Sequence, residues 1–135
     1  MAKPHVIIIG AGITGLLLAQ ALKTRNISFE IYERDPDADA RGQGWGLAVH
    51  WALDSLRSLL PEHVRERLPE AYVDPTLGEG CGRFPLFRLD SGERWYENLS
   101  EKRVRVSRER LRALLMSGLD IQVRDQNTTS YQNLH

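Results

Sequence analysis

From His5 to Arg34 the chain carries one unbroken pattern: an apolar run, three glycines, an amphipathic stretch, a second apolar run and an acid. No other feature of the 135 residues restricts the fold so tightly. Val6 to Ile9 are β-branched with no alternation, which predicts a strand covered on both faces. Gly10, Ala11, Gly12, Ile13, Thr14 and Gly15 then give G-x-G-x-x-G. The first glycine permits a tight turn, the second lets a pyrophosphate approach the backbone, and the third lets a helix lie close to the strand. A helix starting there aims free N–H groups and the positive end of its dipole at phosphates. Gly15, Leu18, Ala19 and Leu22 share one expected apolar face, and Asn26 is placed to end the helix. Ile27, Phe29 and Ile31 alternate as in a strand. Glu33 closes it 23 positions after Gly10, the spacing of an acid that bonds a ribose hydroxyl. An acid there disfavours a 2′-phosphate, and with it NADP at this site.

The expected fold class is therefore α/β, built on a Rossmann-like βαβ unit for a dinucleotide. A chain of this length has room for one domain. Its 18 basic and 18 acidic residues cancel, so no net field draws it to nucleic acid or to a membrane surface. No apolar run reaches the length of a membrane span. Met1-Ala-Lys-Pro leads straight into the first strand, with no space for a signal peptide, and the single Cys81 suits a reducing compartment. A cytoplasmic location is the expectation.

After Glu33 a polar loop leads into Arg41-Gly-Gln-Gly-Trp-Gly46, a spacing suited to backbone that passes close to something flat or bulky. Leu53, Leu56 and Leu60 recur at helical spacing until Pro61, and Glu62 to Leu68 predicts a short helix. Residues 70 to 82 read as a connecting loop. Phe84–Leu89 and Glu93–Glu97 flank Asp90-Ser-Gly92, a hairpin signal, and Val104 and Val106 continue as a short strand. Ser107 is a fitting N-cap for a helix with Leu111, Leu114 and Leu115 on one face and Gly118 past its end. Leu119 to Val123 predicts a strand that re-enters the nucleotide-binding sheet. The polar tail, residues 124–135, is expected to be disordered; its Asn127-Thr-Thr129 sequon is read as unused.

Three blocks in this order resemble the FAD-dependent monooxygenases related to p-hydroxybenzoate hydroxylase, in particular the branch that modifies natural products in fungi. They are Gly10–Gly15 with Glu33-Arg34, Arg41–Gly46 leading into a helix, and Val106-Ser-Arg-Glu-Arg-Leu111 with Leu115. The resemblance implies FAD, with Glu33 on the adenosine ribose, Arg34 against the adenine, and Arg108 at the phosphates or ribityl chain. Gly44 and Gly46 would pass near the flavin. It further implies NAD(P)H as reductant and transfer of oxygen from O₂ to an electron-rich ring or alkene of a small organic substrate. Residues 1–123 would then be a partial FAD-binding domain, with the hairpin at 83–98 resembling the start of a substrate-binding sheet. The family's later segment carries an Asp-Gly and then a Gly-Asp pair; neither dipeptide occurs after residue 46. This chain resembles the N-terminal third of such an enzyme, and no residue is assigned as a catalytic acid or base.

Two other functions fit the same residues: a non-catalytic accessory or product-binding remnant of such an enzyme, pairing with itself or with a full-length homologue, and an NAD-linked dehydrogenase. Trp45 and Trp51 are expected in the core rather than on a flavin ring. His50 is read as a capping or surface residue, and Cys81 as unreactive. Lys102, Arg103, Arg105, Arg110 and Arg112 are read as a solvated basic face, broken by Glu101 and Glu109. No spacing suggests a metal.

Overall fold

The structure is a computed structural model that describes residues 4–35, 45–79, 84–98 and 102–123. Arg41 to Gly44, Cys81 and the tail from 124 lie outside the described residues. The expected βαβ unit is present: β1 (His5–Ile9), α1 (Ile13–Thr24) and β2 (Ser28–Glu33). β1 runs parallel to β2 with His5 opposite Ser28 and Ile9 opposite Tyr32. Asn26 takes a left-handed conformation at φ 53°, turning the chain from α1 towards β2.

The middle of the chain yields β3 (Gly46–Val49), α2 (Leu53–Leu59) and α3 (Glu62–Arg65), followed by 3-10 turns at Leu68–Ala71 and Pro75–Leu77. The hairpin forms as expected, β4 (Phe84–Phe87) antiparallel to β5 (Arg94–Asn98), with Gly92 at positive φ in the turn. β6 (Val104–Ser107) leads into α4 (Arg108–Met116), whose N-cap Ser107 accepts from the Arg110 amide. β7 (Gln122–Val123) then pairs parallel with the end of β2, giving the order β1-β2-β7.

One core joins these elements apart from the β4–β5 hairpin, which contributes no residue to it. Leu16, Ala19 and Ile31 pack with Leu53, Val64, Leu68, Val106, Leu111 and Leu115, all buried. α1 and α4 are tied by Gln20, fully buried, whose amide donates to the carbonyls of Leu115 (2.7 Å) and Ser117 (3.0 Å). These are C-terminal carbonyls of α4 with no partner inside the helix, so the tie also caps it.

Four expectations need correction. β1 is buried on one face only: Ile8 lies in the core, while Ile7 and Ile9 are 61% and 80% exposed. Among the described residues no second layer covers that face, so an unalternating run does not here signal two-sided burial. On α1, Leu18 is exposed and the buried stripe passes through Leu16, Ala19 and Gln20, because α4 packs on the flank away from Leu18. Trp45 and Trp51 are exposed rather than core; β3 and the start of α2 turn them outward. Residues 70 to 82 are not all loop, since Ala71 and Tyr72 are buried and Tyr72 bridges to Val106.

Candidate cofactor site

The glycine turn has the geometry its sequence implies. Gly10 takes φ +101°, a conformation that side chains rarely adopt, and its amide donates to the Tyr32 carbonyl at 2.7 Å, locking the turn to β2. At Gly15 a Cβ would collide with the Gly10 carbonyl oxygen and lie 3.2 Å from Ile8 Cγ2, so only glycine lets α1 lie this near to β1. Gly12 differs: a Cβ there would meet nothing within 4 Å, at an ordinary φ of −76°. Its backbone faces open space. The N-cap of α1 is Gly12, which has no side chain to cap it, and the helix starts at Ile13 with Thr14 exposed; among the described residues no other side chain is seen bonded to its first-turn amides. The first-turn N–H groups therefore remain available to an anion.

Glu33 sits at the tip of β2 and reaches into this turn. Its Oε2 accepts from the Ala11 amide at 2.8 Å, and its Oε1 from the amides of Arg34 (2.8 Å) and Asp35 (3.1 Å). Burial pushes the carboxyl pKa up, but the amides of Asp35, Ala11 and Arg34, with the Arg112 guanidinium, outweigh that and hold it below its ordinary value. The group is an anchored carboxylate. Arg34 is exposed beside it, 3.7 Å from Asp35 in a surface ion pair.

Arg112 is the residue the sequence did not mark. Read as part of a solvated face, its side chain is in fact only 13% exposed. Its Nε donates to the Ala11 carbonyl at 2.8 Å, and Nη2 lies 3.8 Å from Glu33 Oε2. The available signal was its place one turn beyond Arg108 and beside the apolar Leu111 and Leu115. Arg108, four residues earlier on α4, projects on the same side of the helix as Arg112. Its amide is held by the Trp45 carbonyl at 2.9 Å.

β3 and β6 unite the second and third sequence blocks. Gly46 stands opposite Ser107, so the glycine-rich strand runs directly beside the start of α4. A strand at Gly46–Val49 was not expected from the sequence. A Cβ at Gly46 would also meet Arg105 Nε at 2.8 Å, so that guanidinium lies across the glycine. Gly44 lies outside the described residues. Among those residues no group of His, Cys, Asp or Glu is placed to hold a metal, and no helix is long and apolar enough to cross a membrane.

A glycine turn, an uncapped helix and an anchored carboxylate on parallel strands define a dinucleotide-binding protein of the Rossmann-like class. Residues 5–128 match the family described as FAD dependent oxidoreductase, and the chain belongs to that family. It is 59% identical over 122 residues to the "Probable FAD-dependent monooxygenase" of Arthroderma benhamiae, covering 88% of this chain and 28% of that protein. It is 50% identical over 117 residues to the FAD-dependent monooxygenase dbaB of Emericella nidulans, covering 86% of this chain and 30% of the relative. Among solved structures, HpxO of Klebsiella pneumoniae complexed with FAD and uric acid superposes with TM-score 0.62 at 22% identity, over 88% of this chain and 30% of that one. At that identity the likeness speaks for fold alone. The chain thus spans less than a third of the length of these relatives.

Proposed function

We propose that this chain forms the adenosine-diphosphate half of an FAD site and that its activity, as part of a longer enzyme or assembly, is that of an FAD-dependent monooxygenase. The carrying observation is the Glu33 carboxylate bonded into the glycine turn at Ala11, beside an uncapped helix start. In this reading the amides at Gly12 to Thr14 receive the pyrophosphate, Glu33 accepts from the adenosine ribose, and Arg34 lies along the adenine. Arg108 reaches the phosphates or ribityl chain, where a planar guanidinium suits an anion. Gly44 and Gly46 lie towards the flavin. The flavin supplies the redox chemistry, with NAD(P)H as electron donor, O₂ as oxidant and a small organic molecule as acceptor. Residues 1–123 form the nucleotide-binding part, and the hairpin belongs to the substrate side.

The test is absorption of the purified 135-residue protein between 350 and 500 nm, with titration by ADP and FAD. Stoichiometric flavin, or saturable binding of both nucleotides, supports the reading; a folded chain that binds neither refutes it. Saturable binding of NADH without FAD would transfer the site to an NAD-linked dehydrogenase.

A second reading rests on the open sheet face that carries Ile7 and Ile9. Exposed apolar surface of this kind favours association, so the chain would act as an accessory protein, as a homodimer or on a full-length homologue. A colourless, folded dimer in solution favours this reading; a monomer carrying flavin opposes it.

A further inference from the structure

In the proposed function the Gly12 N–H donates to an anion, yet nothing in a glycine fixes which way its amide points. A glycine turn can flip a peptide at little cost, because no Cβ resists it. The peptide between Ala11 and Gly12 is planar and trans, so its C=O and N–H point in opposite directions. Whatever fixes the Ala11 carbonyl therefore aims the Gly12 amide.

That carbonyl is gripped by Arg112 Nε at 2.8 Å. The Ala11 amide on the other side of the same residue is gripped by Glu33 Oε2, also at 2.8 Å. Ala11 itself is fully buried, so neither bond is exchanged easily with water. Arg112 is held by α4, which is fastened to α1 through Leu111, Leu115 and the Gln20 tie. The carbonyl is thereby drawn towards the Arg112 side chain on α4, and the Gly12 N–H points the opposite way, away from that guanidinium. With the carbonyl released, the flipped peptide would present an oxygen where a phosphate must sit, and the negative end of the carbonyl dipole would oppose the phosphate charge.

We propose that Arg112 is a positioning residue for the nucleotide: it fixes the Ala11–Gly12 peptide so that the Gly12 N–H faces the pyrophosphate. This rests on the reading of the glycine turn as a phosphate cradle. Arg112 acts through the Ala11 carbonyl, and its Nη2, 3.8 Å from Glu33 Oε2, also steadies the neighbouring carboxylate.

The experiment uses the whole 135-residue chain with ADP and FAD as probes, and compares wild type with Arg112→Met and Arg112→Lys. Affinities are measured by calorimetry, thermal midpoints by circular dichroism, and the Gly12 amide by its ¹H–¹⁵N resonance. Arg112→Met should remain folded and lose about tenfold or more in ADP affinity, the effect of one charge-assisted hydrogen bond. Arg112→Lys, whose ammonium can reach the carbonyl with one donor, should recover part of that loss. The Gly12 resonance should shift on ADP addition in wild type and much less in Arg112→Met, a signature that a merely structural role would leave unaltered. A folded Arg112→Met that binds ADP within twofold of wild type overturns the proposal. So does unfolding of both variants, which would assign Arg112 to stability alone. Absence of ADP and FAD binding by wild type would instead refute the cradle itself.

Discussion

Gly12 and Gly15 belong to one motif but should fail in opposite ways when changed to alanine. At Gly15 the added Cβ would press on the Gly10 carbonyl oxygen and on Ile8 Cγ2, the first a backbone atom that no rotamer can move. Restoring an ordinary contact requires α1 to retreat from β1 by on the order of 1 Å. Leu16 and Ala19 ride on that helix and lie fully buried, so the shift opens the packing that they make. Overpacking of this sort costs about 1–3 kcal/mol, and the backbone contact places Gly15→Ala at the upper end. At Gly12 the added methyl meets nothing within 4 Å and φ is −76°, which alanine adopts readily. On the free protein a less mobile unfolded chain stabilises by about 0.4–1 kcal/mol, and alanine's poorer capping of α1 offsets this by a comparable amount. Urea unfolding followed by circular dichroism measures the first difference, and ADP titration the second. Gly15→Ala should unfold at clearly lower urea. Gly12→Ala should unfold close to wild type yet lose most of its ADP affinity, because the methyl occupies the approach to the phosphates. Gly15→Ala at wild-type stability would refute the close helix–strand contact, and undiminished ADP binding by Gly12→Ala would refute the cradle.

Three further outcomes follow from the same contacts. Glu33→Ala should weaken FAD binding by roughly 1.5–3 kcal/mol, the worth of a hydrogen bond to a charged group; equal titration curves would remove Glu33 from the ribose role. Glu33 also predicts a pH dependence. Its folded pKa lies below the ordinary value of 4.5, so its stabilisation is complete above that value and fades as pH falls through the folded pKa. The gap in urea midpoint between wild type and Glu33→Gln should therefore shrink below pH 4.5, and a gap that stays constant down to about pH 3 would contradict the anchored carboxylate. Gln20→Leu should destabilise the fold by about 1–3 kcal/mol, since the carbonyls of Leu115 and Ser117 lose their buried donor; differential scanning calorimetry would register no change if the tie were idle.

The sequence conveyed the parts of the fold that are set locally. The glycine turn, the end of α1 at Asn26, the hairpin about Gly92 and the Ser107 cap each depend on residues a few positions apart. The place of Glu33 at the tip of β2 was legible as well, because the βαβ spacing is itself a geometric rule, but its bond to the Ala11 amide was not foreseen. Long-range pairing was not. β3 carries Gly46, Leu47 and Ala48, residues with no strong strand character, and becomes a strand because β6 lies beside it. The exposure of Ile7 and Ile9 depends on which layers pack on β1, a question its own residues do not answer. Arg112 was invisible for a related reason. A run of arginines on a helix looks solvated, and only the packing of α4 on α1 decides which one is drawn in.

Arg112 and Glu33 together show how the glycine turn is held within these residues. The turn needs its peptides fixed before any nucleotide arrives, and every group that fixes them lies between Gly10 and Arg112. Gly10 is tied to Tyr32, Ala11 to Glu33 on one side and to Arg112 on the other, and α4 to α1 by the buried Gln20. None of these contacts calls on residues beyond this chain. On the proposed reading the adenosine half is organised by contacts within these residues, so that most of the binding energy for FAD should be recovered with ADP alone. The described residues build no wall for a flavin, so on the same reading nucleotide binding is separable from turnover.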